Sequence, residues 1–211
     1  MNAPDPSLVS LISHADGRVA ATPVSSLFLT RWSARAMTAE PIPDEILFAM
    51  FEAARFSPSS YNSQPWRFAY AKRGDEAFPR YVDCLSTPNR AWAGEASALV
   101  LIASRAAFVP PGAAEEIVSP TASFDAGAAW ASLAFQAALL GWTTRAMGGF
   151  DKERARLATG APPSLKLEAM VAIGKRGDAS LLPPDKQKLE KPNARKTIGQ
   201  IVFAGAFPAD G

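Results

Sequence analysis

Before residue 60, apolar positions keep helical spacing in one extended stretch. Ile46, Ala49, Met50, Ala53 and Ala54 fall at i, i+3, i+4, i+7 and i+8, a single stripe down a helix. Pro43 suits the first turn of that helix, Asp44 and Glu45 lie near its positive end, and Pro58 should stop it. A shorter helix is expected to about Arg31, with Thr22 as cap and Pro23 at the first helical position. The period then changes to two. Residues 66–70 alternate apolar with polar or small side chains, as a half-buried strand does. Residues 98–103 are continuously apolar, which suits a central strand covered on both faces. Residues 124–140 are apolar almost all round and end at Gly141, the pattern of a buried central helix. Strands are expected near 142–146 and 167–173, with a short helix near 151–158 between them. The Pro- and Gly-rich stretch 104–120 reads as a mobile loop or lid, residues 1–21 as a loose lead-in, and residues 22–211 as one domain. Helices and strands mix without a strict βαβ rhythm, which favours an α+β fold.

Composition changes this picture mainly by exclusion. With 48% hydrophobic and 20% charged residues in 211, a packed core is within reach. Lys and Arg number 22 against 20 Asp and Glu, too balanced for a dedicated nucleic-acid binder. Cys84 is the only cysteine and His14 the only histidine, so neither an internal disulfide nor a Cys/His zinc site is expected. A Ser-His-Asp or Cys-His nucleophile pair would have to recruit His14 itself. The first residues lack a basic start, and no run approaches ~18 apolar residues, so no membrane span and a cytoplasmic location are expected.

Three segments could carry chemistry. In an extended backbone Arg31, Ser33 and Arg35 share a face, which places two guanidiniums and a hydroxyl together. Such a trio suits a phosphate or an electron-rich heterocycle, and equally a solvated basic edge. Residues 57–66, S-P-S-S-Y-N-S-Q-P-W, pack hydroxyls and amides between two prolines, either as a plain loop or as a site for an uncharged aromatic ring. At 147–151, M-G-G-F-D places paired glycines between a strand and a helix. There a backbone can approach a ligand, although a tight turn uses the same residues.

Taken together and in order, these segments resemble the nitroreductase family of FMN-dependent oxidoreductases. The matching pieces are R-W-S-A-R at 31–35, P-I-P-D-E at 41–45, residues 57–66, G-G-F-D at 148–151, A-I-G at 172–174 and N-A-R-K-T-I-G-Q-I-V at 193–202. The resemblance spans roughly residues 24–205. It implies a mostly antiparallel sheet flanked by helices, in an intertwined homodimer with FMN at the interface and the C-terminal extension laid on the partner. Arg31, Ser33 and Arg35 would hold the phosphate and the polar edge of the flavin, and Arg195 would complete the phosphate site. Pro58, Ser59, Ser60 and Asn62 would reach the flavin from the partner subunit. Gly148 and Gly149 would aim backbone N–H groups at flavin N5 and O4, and Asn89 would bond the pyrimidine edge. Tyr61 and Trp92 would face substrate.

Two departures stand out. Asn193 stands where some relatives carry Lys, and Trp92 where some carry Lys three residues after the Asn89 position. The implied chemistry is ping-pong, with NADPH or NADH reducing the flavin and a nitroaromatic, quinone or similar acceptor reoxidising it. No side-chain catalyst and no metal are required, in keeping with an inventory that offers no evident general base. Other flavin chemistry on the same fold (flavin cleavage, dehalogenation, small aldehyde or acid redox) and a flavin-binding module with little turnover are the alternatives.

Overall fold

The computed structural model describes residues 11–15 and 18–208. Its Cα packing forms two units, one of residues Ser33–Glu190 and one joining the chain up to Trp32 with the segment from Lys191 onward.

The larger unit is built on a four-stranded antiparallel sheet. In chain order it contains α2 (Asp44–Arg55), β3 (Trp66–Lys72), α3 (Phe78–Cys84), α4 (Thr87–Ala93), β4 (Ala98–Arg105), the short pair β5 (Ala107–Phe108) and β6 (Ile117–Val118), α5 (Ala122–Leu139), β7 (Thr143–Met147), α6 (Lys152–Thr159), β8 (Leu165–Gly174) and α7 (Pro184–Gln187). The sheet order is β3-β4-β8-β7. This is the α+β architecture expected, and the continuous apolar run does form a central strand. Leu99, Leu101 and Ala103 of β4 join one core with α3, α4 and α6. Ala98, Val100 and Ile102 join the other with α2 and α5. β4 is apolar at every position from Ala98 to Ala103 because helices cover both faces. A bulge opposite Ile102 and Ala103 leaves Glu168 outside the Cα pairing of β8, and Leu167 and Met170 both enter the first core.

Some local expectations needed correction. Pro23 lies in a strand, not at a helix start: residues Arg18–Ser25 (β2) pair antiparallel with Leu11–Ala15 (β1). The helix that follows, α1, spans only Ser26–Thr30, with Ser25 Oγ accepting from Leu27 N at 3.4 Å. A hydroxyl cap three residues on outcompetes Thr22 because β2 uses the intervening backbone for pairing. Where residues 1–21 were expected to be a loose lead-in, Leu11–Ala15 and Arg18–Ser25 are strands that pair with each other. Residues 1–10 and the side chain of His14 lie outside the described residues. Part of the 104–120 stretch pairs as β5 with β6. Helix α5 is not buried all round, since Phe124 is 80% exposed and Leu139 66% exposed while Ala129 and Leu133 are sealed. Among the described residues no helix is long and apolar enough to cross a membrane.

Candidate functional site

In the smaller unit, Arg31 caps the C-terminus of α1, its N–H bonding Leu27 O at 3.0 Å. Arg18 enters from β2, and one of its Nη atoms donates to Leu29 O (3.0 Å) and Arg31 O (2.8 Å). Arg18 Nε donates to Asn193 O at 3.2 Å, and Arg195 Nη donates to the same carbonyl at 3.1 Å. Carbonyl oxygens thus hold the β-hairpin, α1 and the tail so that three guanidiniums converge. Half-burial, then the charges of Arg18 and Arg195, push the Arg31 guanidinium below its usual value. Three guanidiniums near one another supply donors of the kind that suit an anion of several oxygens. Arg18 was missed because it lies in the apparent lead-in. A β-turn signal, Asp16-Gly17 after Leu11-Ile12, was the available hint of a hairpin there.

In the larger unit, residues 33–37 alternate as expected: Ala34, Ala36 and Met37 are buried, Ser33 and Arg35 half-buried. Glu190 anchors this segment. Its Oε1 accepts from Arg35 N at 2.7 Å and Ala36 N at 2.8 Å, and its Oε2 lies 3.7 Å from the Arg35 guanidinium with no hydrogen bond of its own. Ser33 contributes its carbonyl, which accepts from Arg145 of β7. Burial and then the Arg35 charge lower Arg145, with Glu190 acting oppositely. Neither Arg145 nor Glu190 carried a signal, one an isolated strand residue and the other in a Lys-rich run.

The glycine turn follows β7 directly. Gly149 O accepts from Asn89 Nδ2 at 2.9 Å and Ser86 N at 3.0 Å, so α4 is clamped to the turn. A Cβ on Gly149 would meet Asn89 Nδ2 and Ser86 Oγ at 2.9 Å each, while one on Gly148 would meet nothing within 4 Å. Neither residue has positive φ. Glycine is needed at 149 for close approach, not for a left-handed backbone. Gly148 opens to one side and Gly149 is closed by α4. Trp92, on the same face of α4 as Asn89, departs from the expected substrate wall: it is 3% exposed, packed in the core, with the Arg145 guanidinium 5.7 Å above its ring. Its apolar bulk follows the core stripe of a short helix.

The loop before β3 is separate. Tyr61, Asn62 and Gln64 have φ of 53°, 52° and 46°, a left-handed backbone that side chains disfavour. Buried Asp125 of α5 accepts from Ser60 N at 3.2 Å and Thr121 Oγ1 at 3.0 Å, and Ser59 Oγ accepts from Gln64 N at 3.0 Å. These bonds hold the strained turn and leave Tyr61 69% exposed, its ring 5.8 Å from Phe108. Asp125 was missed because its apolar helical setting concealed a polar role. This loop precedes β3 at one edge of the sheet and the glycine turn follows β7 at the other. With strands ~4.8 Å apart, that separation is about 14 Å across the sheet, and no hydrogen bond joins them among the described residues.

Known proteins share this fold. The model of the nitroreductase family matches residues 29–85. A solved structure described as an oxidoreductase containing FMN is 42% identical, covering 93% of this chain and 99% of its own, with a TM-score of 0.89. An uncharacterised 15.4 kDa protein of Mycolicibacterium smegmatis is 32% identical over 150 residues, 67% of this chain and 97% of its own. A Burkholderia lata protein provisionally named NADH dehydrogenase/NAD(P)H nitroreductase is 26% identical over 174 residues, 76% of this chain and 89% of its own.

Proposed function

Since the chain belongs to the nitroreductase family, we propose that it is an FMN-dependent oxidoreductase that uses NADPH or NADH. The observation that carries this reading is the meeting of Arg18 and Arg195 at one carbonyl, Asn193 O, with the Arg31 guanidinium close enough to feel both charges. Such a cluster is a poor surface decoration and a good phosphate receptor.

The residues fit the cofactor on several independent counts. The guanidinium cluster matches a phosphate monoester. Gly148 and Gly149 present a turn whose N–H groups take no protein acceptor among the described residues. Asn89 spends one amide hydrogen on Gly149 O and keeps its carbonyl for a ring N–H. Bound FMN would supply the redox chemistry, a hydride accepted from NAD(P)H in one half of a ping-pong cycle and passed to a nitroaromatic, quinone or similar acceptor in the other. The chain's own part is then to bind, orient and polarise. Arg18, Arg31 and Arg195 hold the phosphate. Ser33 and Arg35 face the polar edge of the ring, and the glycine turn offers fixed donors where charge develops.

The reading includes a homodimer, which the edge-to-edge separation supports. Residues Pro58, Ser59, Ser60 and Asn62 would meet a ring held at the glycine turn only if supplied by a second copy. The tail supports the same reading, since Ile198, Ile201, Val202 and Phe207 are each more than half exposed. Tyr61 beside Phe108 would then border the acceptor. The test is the purified protein itself. A yellow preparation with one FMN released per chain is expected, and a colourless fold that takes up no added FMN would contradict the reading.

A further inference from the structure

Helix α5 carries one charged residue in its 18, and that residue is buried: Asp125 is 3% exposed. A first-turn carboxylate that served the helix alone would sit in water or bond the helix's own N–H groups. Asp125 Oδ2 instead accepts from Ser60 N at 3.2 Å, 65 positions away in the chain, and from Thr121 Oγ1 at 3.0 Å. Each donor leads to an aromatic ring. Ser60 precedes Tyr61, whose φ of 53° belongs to the left-handed turn shared with Asn62 and Gln64. Thr121 Oγ1 lies 3.3 Å from Ser119 Oγ, and Ser119 N donates to Ala106 O at 2.7 Å, two residues before Phe108. The Tyr61 and Phe108 rings meet with their centres 5.8 Å apart. One buried carboxylate oxygen therefore joins the two stretches of backbone that carry this ring pair.

The support behind Asp125 is rigid. Ser123, in the same turn of α5, donates to Glu168 of β8 at 2.7 Å, which ties the start of the helix to the sheet. Ser132, seven residues beyond Asp125 and on the same helix face, lies 2.7 Å from Ser57 Oγ. The loop before β3 is thus pegged to α5 at two points. Left-handed backbone at three residues with side chains persists only where the surroundings impose it. Asp125 is the buried group that imposes it at Ser60.

We propose that Asp125 is a positioning residue for the acceptor: it sets Tyr61 against Phe108, and this ring pair is the wall on which a flat aromatic acceptor lies. Asp125 itself touches neither acceptor nor cofactor. The wall favours quinone and nitroaromatic rings, which gain by packing on aromatic side chains, over small anionic acceptors, which do not. This rests on the FMN reading above.

The test compares kcat/KM for a quinone, menadione, with that for ferricyanide, an anionic acceptor that needs no ring to pack on. The proteins are FMN-loaded wild type, Asp125→Ala, Asp125→Asn and Thr121→Val. The ratio of the two values is independent of flavin occupancy and of the rate of reduction by NAD(P)H, because both acceptors meet the same reduced enzyme. Hydrogen exchange of residues 59–64 in the purified proteins reads the loop directly. Asp125→Ala should lower the quinone-to-ferricyanide ratio about tenfold, the scale of a misplaced contact, and speed exchange in the loop. Asp125→Asn, whose side-chain carbonyl can still accept both hydrogens, should stay close to wild type. Thr121→Val spares the Ser60 bond, so it should move the ratio the same way by less, and it carries the test if Asp125→Ala does not fold. An unchanged ratio in either folded variant, a lowered ratio with unchanged loop exchange, or equal shifts in Asn and Ala would overturn the proposal. Wild type that binds no FMN would instead remove the reading beneath it.

Discussion

At the scale of single residues, the site is mostly a matter of where guanidiniums and glycines are held. Arg31 sits with Arg18 and Arg195, so Arg31→Ala should weaken FMN binding by about 1.5–3 kcal/mol, the range for a hydrogen bond to a charged group. Fluorescence titration of FMN into the apoprotein measures it, and unchanged affinity would remove Arg31 from the phosphate role. Gly149→Ala inserts a methyl that would lie 2.9 Å from Asn89 Nδ2 and Ser86 Oγ. The side chains must move, the Asn89 bond to Gly149 O is lost, and flavin affinity should fall by about 1 kcal/mol. Gly148→Ala, with open space at its Cβ, should cost less, and a reversed order would show that the close approach is unimportant. Residue types that bind anions or permit close approach were legible from sequence because Arg31, Ser33, Arg35 and the paired glycines are chemically conspicuous. Arg18, Asp125, Arg145 and Glu190 were not, since each matters only through a partner distant in sequence. Glu190 meets Arg35 across 155 positions.

At the scale of elements, legibility tracked length and apolar continuity. Strand β4 could be read directly, since six apolar residues in a row demand cover on both faces. The seven-residue helices α3 and α4 could not, because Pro79 and Pro88 in their first turns look like breakers and neither helix is long enough to show a period. Helix α5 was found but misjudged, its exposed Phe124 and Leu139 counted as core. Packing against α2 and the sheet makes its inner face costly to empty: Leu133→Ala should destabilise by about 2–5 kcal/mol in urea unfolding.

The bulge of β8 gives a pH prediction. Burial opposes ionisation of Glu168, but hydrogen bonds from Ser104 (2.6 Å) and Ser123 (2.7 Å), with Lys166 nearby, outweigh it and hold the carboxyl below its ordinary 4.5. A lowered folded value gives stability that is complete above the ordinary value and disappears as pH falls through the folded one. Melting temperatures from about pH 6 to pH 3 should therefore drop less steeply in Glu168→Gln than in wild type. Parallel curves would exclude Glu168 from the acid response.

At the scale of the whole molecule, a single chain presents its two candidate ring-binding segments at opposite edges of one sheet, and its exposed apolar tail at residues 198–207. Both features are resolved if the functional unit is a homodimer. Deleting residues 197–211 should shift the protein toward monomer in light scattering and lower FMN retention together. Intact dimers with full flavin would assign the tail a different role. The fold class was legible from the mixed pattern of helices and strands. The expectation of a homodimer rested mainly on resemblance, because surface complementarity has no periodic signature in a sequence.

The most direct measurement is anaerobic mixing of the purified yellow protein with NADPH and, separately, with NADH, following flavin absorbance. Expected is rapid and complete bleaching by at least one nucleotide, with colour restored by a quinone or nitroaromatic acceptor. Flavin that stays oxidised for minutes with both donors would contradict the proposed oxidoreductase.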